Sequence, residues 1–261
     1  KNFKEEIPST KNKFIIHFFC LVPIIFGFIV PILFISGNVV YEFERIEFVK
    51  VFNLSKNTIL VSLIATFIII AISVYFQFLR RIVKNKVLTI FNEAISLSYA
   101  LPGAVIGLSL IILFSSTPFK SEILIGSFFV LIYAYVIRYM AVGISPLKSS
   151  FEKHPSSFDD TAVNLGMGPL KLFKSIHFPI NKSAIAIAFL ITFVDILKEL
   201  PITLILRPFN FDTLAVQTYE YAIEEMIPKS SIYSLIIVMM GIILLIFLKK
   251  IVNNQIDVSK S

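Results

Sequence analysis

The sequence predicts an all-α, polytopic membrane protein of six transmembrane helices, and three observations lead there. Hydrophobic residues make up 56% of the 261-residue chain, and the mean hydropathy is +0.84. They are gathered into long blocks, where a soluble domain disperses its core residues along the chain. Six blocks, at 14–36, 58–79, 93–114, 122–144, 183–206 and 231–248, each reach the roughly 20 residues needed to cross about 30 Å of hydrocarbon. Blocks this continuous exclude the alternating pattern of a membrane β-barrel. The chain divides accordingly into a tail, first span and external loop (1–54), a transmembrane domain (55–250) and a polar tail (251–261).

The first block is too long, and too lacking in a small-residue cleavage site, for a removable signal peptide. The chain opens on Lys1 with no initiating Met, which suggests a fragment or the trailing half of a longer polypeptide. Cys20 is the one cysteine, so no internal disulfide forms. The formal charge of +7 follows topology and does not point to nucleic acid. Lys1, Lys4, Lys11, Lys13, Arg80, Arg81, Lys84, Lys86, Lys148, Lys153, Lys171, Lys174, Lys182, Lys249, Lys250 and Lys260 fall on one side of the spans. Only Arg45, Lys50, Lys56, Lys120, Arg207 and Lys229 fall on the other. The excess of positive charge marks the cytoplasm, so both termini and the loop after the fourth span are expected there.

The external loop 37–57 contains YEFERIEFVKVF, which suits a short amphipathic helix at the membrane interface. In the third block, YALPGAVIG (99–107) joins Pro102 to Gly103, and a kink or break is expected there. The feature has two readings: a membrane-helix proline whose freed carbonyl is satisfied by neighbours, or a discontinuous helix with Gly103 and Gly107 forming a close-packing face. Arg138, beside Tyr133, Tyr135 and Tyr139, is expected to snorkel toward the cytoplasmic end of its span. The polar stretch DTAVNLGMGPLKLFKSIHFP (160–179) carries more specified chemistry than a connector needs. Ser156 with Asp159, or Ser157 with Asp160, has capping-box spacing, so a short helix should start near 157. Gly166 suits the left-handed position beyond its end. Gly168 and Pro169 restart the chain into PLKLFKSI, which Pro179 is expected to close. Ala162, Leu165, Leu170, Phe173 and Ile176 recur at helical spacing and call for burial, either on the chain's own helices or against a docked partner.

Asp160, Thr161 and Ala162, then Gly166, then Ile176, Phe178 and Pro179 match in register the signature written E-A-A, three residues, G, nine residues, I-x-L-P. The chain therefore resembles the inner-membrane permease subunit of binding-protein-dependent bacterial ABC importers. Asp160 replaces Glu, Thr161 replaces Ala and Phe178 replaces Leu. The resemblance covers about 55–250 and implies a MetI-like permease fold with a cytoplasmic coupling helix-turn-helix that docks on a separate ABC ATPase dimer. It also implies an extracytoplasmic binding protein, a second permease half and a multi-pass location in the bacterial inner membrane. YALPGAVIG looks like that family's pathway-lining third helix, and residues 195–222 resemble the second half of ferric iron permeases, where two halves are fused. No catalysis, cofactor or resident metal is expected of this chain. It has no G-x-x-x-x-G-K-[ST] phosphate loop, and His17, His154 and His177 are scattered interfacial or loop histidines.

In DILKELP (195–201), Asp195, Lys198 and Glu199 are spaced three and four apart, which predicts one helix face. Either Asp195 and Lys198 form a structural ion pair, or the face lines the translocation path, with Asp195 and Glu199 offering oxygens suited to a hard cation and Pro201 breaking the helix. Importers of thiamine, polyamines or anions share the same scaffold. From other classes, an ion-coupled secondary transporter would use these charges for coupling, and a non-transporting membrane scaffold would use only the cytoplasmic loop.

Overall fold

The computed structural model describes residues 10–83, 85–116 and 126–260, with side chains from 12 to 252. Lys1, Lys4, Lys84 and Lys120 of the charge pattern, and the start of the fourth block at 122–125, lie outside the described residues, as do the side chains of Lys11 and Lys260.

Every regular element described is helical. Five helices are long and apolar enough to span a membrane, and a sharply bent pair makes a sixth, so the predicted all-α, polytopic class holds. The first span is α1 (Thr10–Ile24) continued by α2 (Val30–Tyr41) through a π-helical turn at Ile25–Ile29. The turn ends two residues before Pro31, and Val30 N–H bonds the carbonyl of Ile25. The widened turn makes room for a ring that would clash with the carbonyl four residues back. Within the most apolar window of this span no residue is buried. Its second half meets the bundle, with Asn38 Nδ2 donating to Ser231 Oγ at 3.1 Å.

The expected interfacial helix in the external loop does not form as such. Its first part is a 3-10 turn at Phe43–Arg45, and the rest is already the start of α3 (Phe48–Val83). At 36 residues, about 54 Å, α3 overshoots the bilayer and carries Arg80 and Arg81 past one end. Its buried stripe is rich in small and short polar residues, including Ser62, Ala65, Thr66 and Ser73. Where the stripe meets α6 (Phe128–Lys153) the partner is Gly143, at which a β-carbon would come within 2.8 Å of Ile69 Cγ2. Small residues let the two backbones approach closely, the contact that holds helices together in lipid.

The third block is broken rather than kinked. Amphipathic α4 (Lys86–Leu97), N-capped by Asn85 through Val87 N–H at 2.8 Å, passes through a 3-10 turn at Ser98–Ala100 into α5 (Gly103–Ser116) at 109°. Leu101 is extended (φ −72°, ψ 130°), the conformation forced on a residue before proline. After α6, α7 (Ser157–Asn164) and α8 (Pro169–Leu172) make the expected helix-turn-helix. Pro179 does not close it, because a π turn at Phe173–His177 carries the chain from α8 directly into α9 (Phe178–Leu197), so Pro169–Leu197 is one span. Its geometry repeats that of the first span, with Phe178 N–H bonding the Phe173 carbonyl one residue before the proline. The fifth block breaks again before α10 (Pro201–Leu206). Then α11 (Leu214–Ile223), capped by Thr213, leads to α12 (Ile227–Lys260). The main core is built from α3, α5, α6, α9 and α10 around Val61, Ile69, Leu131, Tyr135, Ile196 and Ile202.

Candidate functional site

At one end of the bundle, the turn between α7 and α8 has the geometry that Gly166 implies. Gly166 has φ +76°; its N–H bonds the Val163 carbonyl at 2.9 Å, and Met167 N–H reaches back to Ala162 at 3.0 Å. These are the paired bonds of a glycine-terminated helix. Gly168, by contrast, is extended (φ −71°, ψ 162°) and uses no special freedom.

The predicted capping box does not form. Ser156 has helical backbone angles (φ −67°, ψ −19°) and makes no side-chain cap bond, and the Asp159 side chain is engaged elsewhere. Asp159 Oδ2 accepts from Arg81 Nε at 2.6 Å and Oδ1 pairs with His177 Nε2 at 2.8 Å. Arg81 gives three further bonds to the carbonyls of Phe151, His154 (3.0 Å) and Pro155 (2.8 Å), at and just beyond the end of α6, where carbonyls lack an intrahelical partner. One arginine from α3 thus fastens the end of α6, the start of α7 and, through Asp159, the π turn. His177 is not a scattered loop residue. It is buried, stacked on Phe151 and edge-on to Phe78. Asn181 bonds the His177 carbonyl at 2.7 Å and takes a bond from Ser150 at 2.6 Å. His154 stacks on Phe158, and partial burial, reinforced by the charges of Arg81 and Lys153, holds its pKa below the ordinary 6.5.

Of the apolar residues expected to need burial, Ala162 is buried and Phe173 and Ile176 are half-buried. Leu165 and Leu170 stand 73% and 68% exposed, with Val163 at 60% beside them. Asp160, Thr161, Gly166 and Pro179 are exposed too. The base of the motif is bolted to the bundle while its apolar tip is left open.

The second cluster lies where the two broken spans meet. Gly103 packs so tightly that an added β-carbon would collide with the Arg138 guanidinium, and Gly107 faces Ile205 of α10, whose Cγ2 would be 3.1 Å away. The two glycines thus form the expected close-packing face, and Pro102 precedes it at the break. Arg138 does not snorkel. Its Nη1 points inward, 3.5 Å from Glu199 Oε1, and its Cζ lies 5.9 Å and 5.6 Å from the ring centres of Tyr99 and Tyr139. Glu199 is 6% exposed; it accepts from Tyr139 O–H and from Ile202 N–H at 3.0 Å, capping α10. The one-face expectation for DILKELP fails because the helix ends at Leu197. Beyond that end the backbone turns, burying Glu199 while Asp195 pairs with Lys198 at 3.0 Å, its lysine 62% exposed. Both carboxylates thus have partners within the chain. Among the described residues no three His, Cys, Asp or Glu stand together as metal ligands.

Comparison with known proteins bears out the permease resemblance. The chain is 30% identical over 154 residues to the Fe(3+)-transport system permease protein FbpB 2 of Haemophilus influenzae, covering 59% of this chain and 30% of that protein. It is 31% identical over 91 residues to the maltose/maltodextrin transport system permease protein MalG of Escherichia coli K12, and 30% identical over 91 residues to the MalG protein of Photorhabdus laumondii. The MalG matches cover 34% of this chain and 30% of each relative. The chain thus spans about 30% of the length of the curated relatives it matches. No family model matches it. The chain is a relative of bacterial transport-system permeases.

Proposed function

We propose that residues 55–250 are the transmembrane domain of an ABC importer, forming the translocation pathway and coupling it to ATP hydrolysis on a separate cytoplasmic ATPase dimer. The observation that carries this reading is the α7–α8 turn, with a base fixed by Arg81, Asp159 and His177 and a tip that leaves Val163, Leu165 and Leu170 in the open. Asp160, Thr161, Ala162, Gly166, Ile176 and Pro179 are the docking element, and a groove on the ATPase is what covers the apolar tip. An extracytoplasmic binding protein delivers the solute, a second permease half, fused or separate, completes the pathway, and lipid surrounds the spans. Both termini lie in the cytoplasm of a cell whose inner membrane holds the complex. The pathway runs past the breaks at Pro102, Gly103 and Glu199, with Asp195 and Lys198 at its rim.

Ferric iron is the proposed cargo, supported by the iron-transport relative and by the likeness of residues 195–222 to ferric iron permeases. A maltodextrin-like sugar is the second reading, favoured by the MalG relatives. Proteoliposomes holding the assembled complex should accumulate 55Fe(III) delivered by its binding protein only when ATP is present. ATP-independent uptake, or uptake of labelled maltose in its place, overturns the importer and the cargo assignment respectively. With Cys20 replaced, a cysteine at Ser157 should react only with reagents reaching the cytoplasm and one at Asn210 only from outside. The opposite sidedness overturns the orientation.

A further inference from the structure

Arg138 and Glu199 are charges placed deep between the spans, and each stands at a helix break or against one. The Arg138 guanidinium fills the notch that Gly103 leaves at the start of α5, where an added β-carbon would also lie 2.9 Å from Glu199 Oε1. Glu199 is itself the break between α9 and α10: its side chain caps Ile202 N–H at 3.0 Å, and its carbonyl accepts from Thr203 Oγ1 at 2.9 Å. Tyr139, on the same helix as Arg138, donates to the other carboxylate oxygen. Ser98, from the turn that precedes the first break, reaches the Arg138 carbonyl at 3.4 Å. One ion pair therefore ties two discontinuous spans to each other and to α6.

We infer that the Arg138–Glu199 pair is a latch between the two helix breaks, with Arg138 a positioning residue for solute passage. The purpose rests on the permease reading; the latch itself rests on the geometry. Irregular backbone at membrane depth is tolerated where it is buried in protein or lines a cavity, and two such breaks packed together are natural hinges. A buried ion pair adds little net stability compared with apolar packing, so static cohesion alone gives poor reason for one here. The manner of binding points the same way. Arg138 Nε and Nη1 make no hydrogen bond among the described residues; the side chain is held by charge and by two ring faces, attractions that depend weakly on angle and survive small displacements. Arg138 fills the Gly103 notch and meets the Tyr99 ring on the α5 side while pairing with Glu199 on the α10 side, so separating α5 from α10 makes it leave one of them, and the strength of the pair sets how readily the two hinges move independently.

A cross-link across the neighbouring contact tests the latch without requiring transport. A β-carbon at Gly107 would lie 3.3 Å from Ile205 Cβ, close to the roughly 3.5–4.5 Å of disulfides. In a Cys20→Ser background in lipid nanodiscs, Gly107→Cys with Ile205→Cys should therefore oxidise in high yield. Arg138→Gln and Glu199→Gln should each lower the initial cross-linking rate roughly five-fold, the size of a coupling between contacting residues, and Arg138→Lys should restore at least half of it by keeping the charge. Glu199→Gln preserves shape and the acceptor for Ile202 N–H, so it decides the matter even where Arg138→Gln does not assemble. A parental rate in a monodisperse Glu199→Gln or Arg138→Gln protein overturns the latch, as does a lysine variant no faster than the glutamine one. Uptake measured in parallel addresses the permease reading separately, since the cross-link reports packing whatever the solute.

Discussion

Two of the arginine–carboxylate pairs, at the α7–α8 turn and at the paired helix breaks, are built differently. Arg81 is richly bonded: it donates to one carboxylate and three carbonyls. Arg138 meets its carboxylate at 3.5 Å and otherwise rests on aromatic faces. Directional bonds to several groups fix a position, because each must lengthen for anything to move. Charge and ring contacts hold two parts together while leaving them some play. The difference teaches that the motif proposed to meet the ATPase is rigidly mounted, so a push on its tip is transmitted to α3, α6 and α9, whereas the breaks within the bundle are where such a push can be converted into movement.

The contrast breaks most directly at Arg81. Arg81→Ala strands Asp159 and the end of α6 and should cost about 2 to 3 kcal/mol, somewhat less than a fully buried pair losing one partner, because both side chains are partly exposed. Hydrogen exchange over 155–168 should rise sharply and the Tm fall, while Arg138→Gln leaves exchange in that segment unchanged. Equal exchange in Arg81→Ala and parent would show that the turn needs no clasp. Next comes Gly166→Val, whose β-branched side chain is strained at φ +76° by about 1 to 2 kcal/mol. Open space surrounds the position, so the chain should insert normally and lose solute-driven ATP hydrolysis in the complex; retained coupling counts against the docking role. Asp195→Asn should act weakly. Its partner Lys198 is largely exposed, such pairs contribute about 0 to 1 kcal/mol, and uptake should stay within roughly two-fold of parent. A much larger loss would move the critical charge from Glu199 to Asp195.

The smallest effect is a dependence on pH at the rigid end. His154 has its folded-state pKa depressed by burial and by Arg81 and Lys153. Its neutral form therefore favours the folded turn above pH 6.5, and that contribution is lost as pH falls through the lower folded value. Protection of 155–168 should weaken on acidification, and His154→Gln should flatten the slope. An unchanged slope would remove His154 from the account.

Much of this molecule is legible in its residues. Long apolar blocks specify spans because every backbone group inside a bilayer must be bonded within its own helix, and Gly166 marks a helix end because a left-handed residue is needed there. The prolines were only half legible. Pro102 and Pro201 stand at breaks, whereas Pro31 and Pro179 are carried through by π turns. A proline announces one missing donor and one displaced carbonyl; whether the helix breaks or widens depends on what stands ready nearby, such as Glu199 for Ile202 N–H or Asn181 for the His177 carbonyl. Spacing placed Asp195, Lys198 and Glu199 on one face by assuming an unbroken helix, and it sent Arg138 outward because no partner lies near it in sequence. The signals for Arg138, Arg81 and His177 were their charge or burial cost inside or beside apolar blocks, but their partners sit 61, 78 and 18 residues away. Sequence alone determined the spans, the turn and its glycine, since those follow from local chemistry. Tertiary structure decided which charges meet, because an ion pair in a membrane protein is chosen by where helices cross, and crossing points are set by small-residue contacts such as Gly103 and Gly143 that no local pattern reveals.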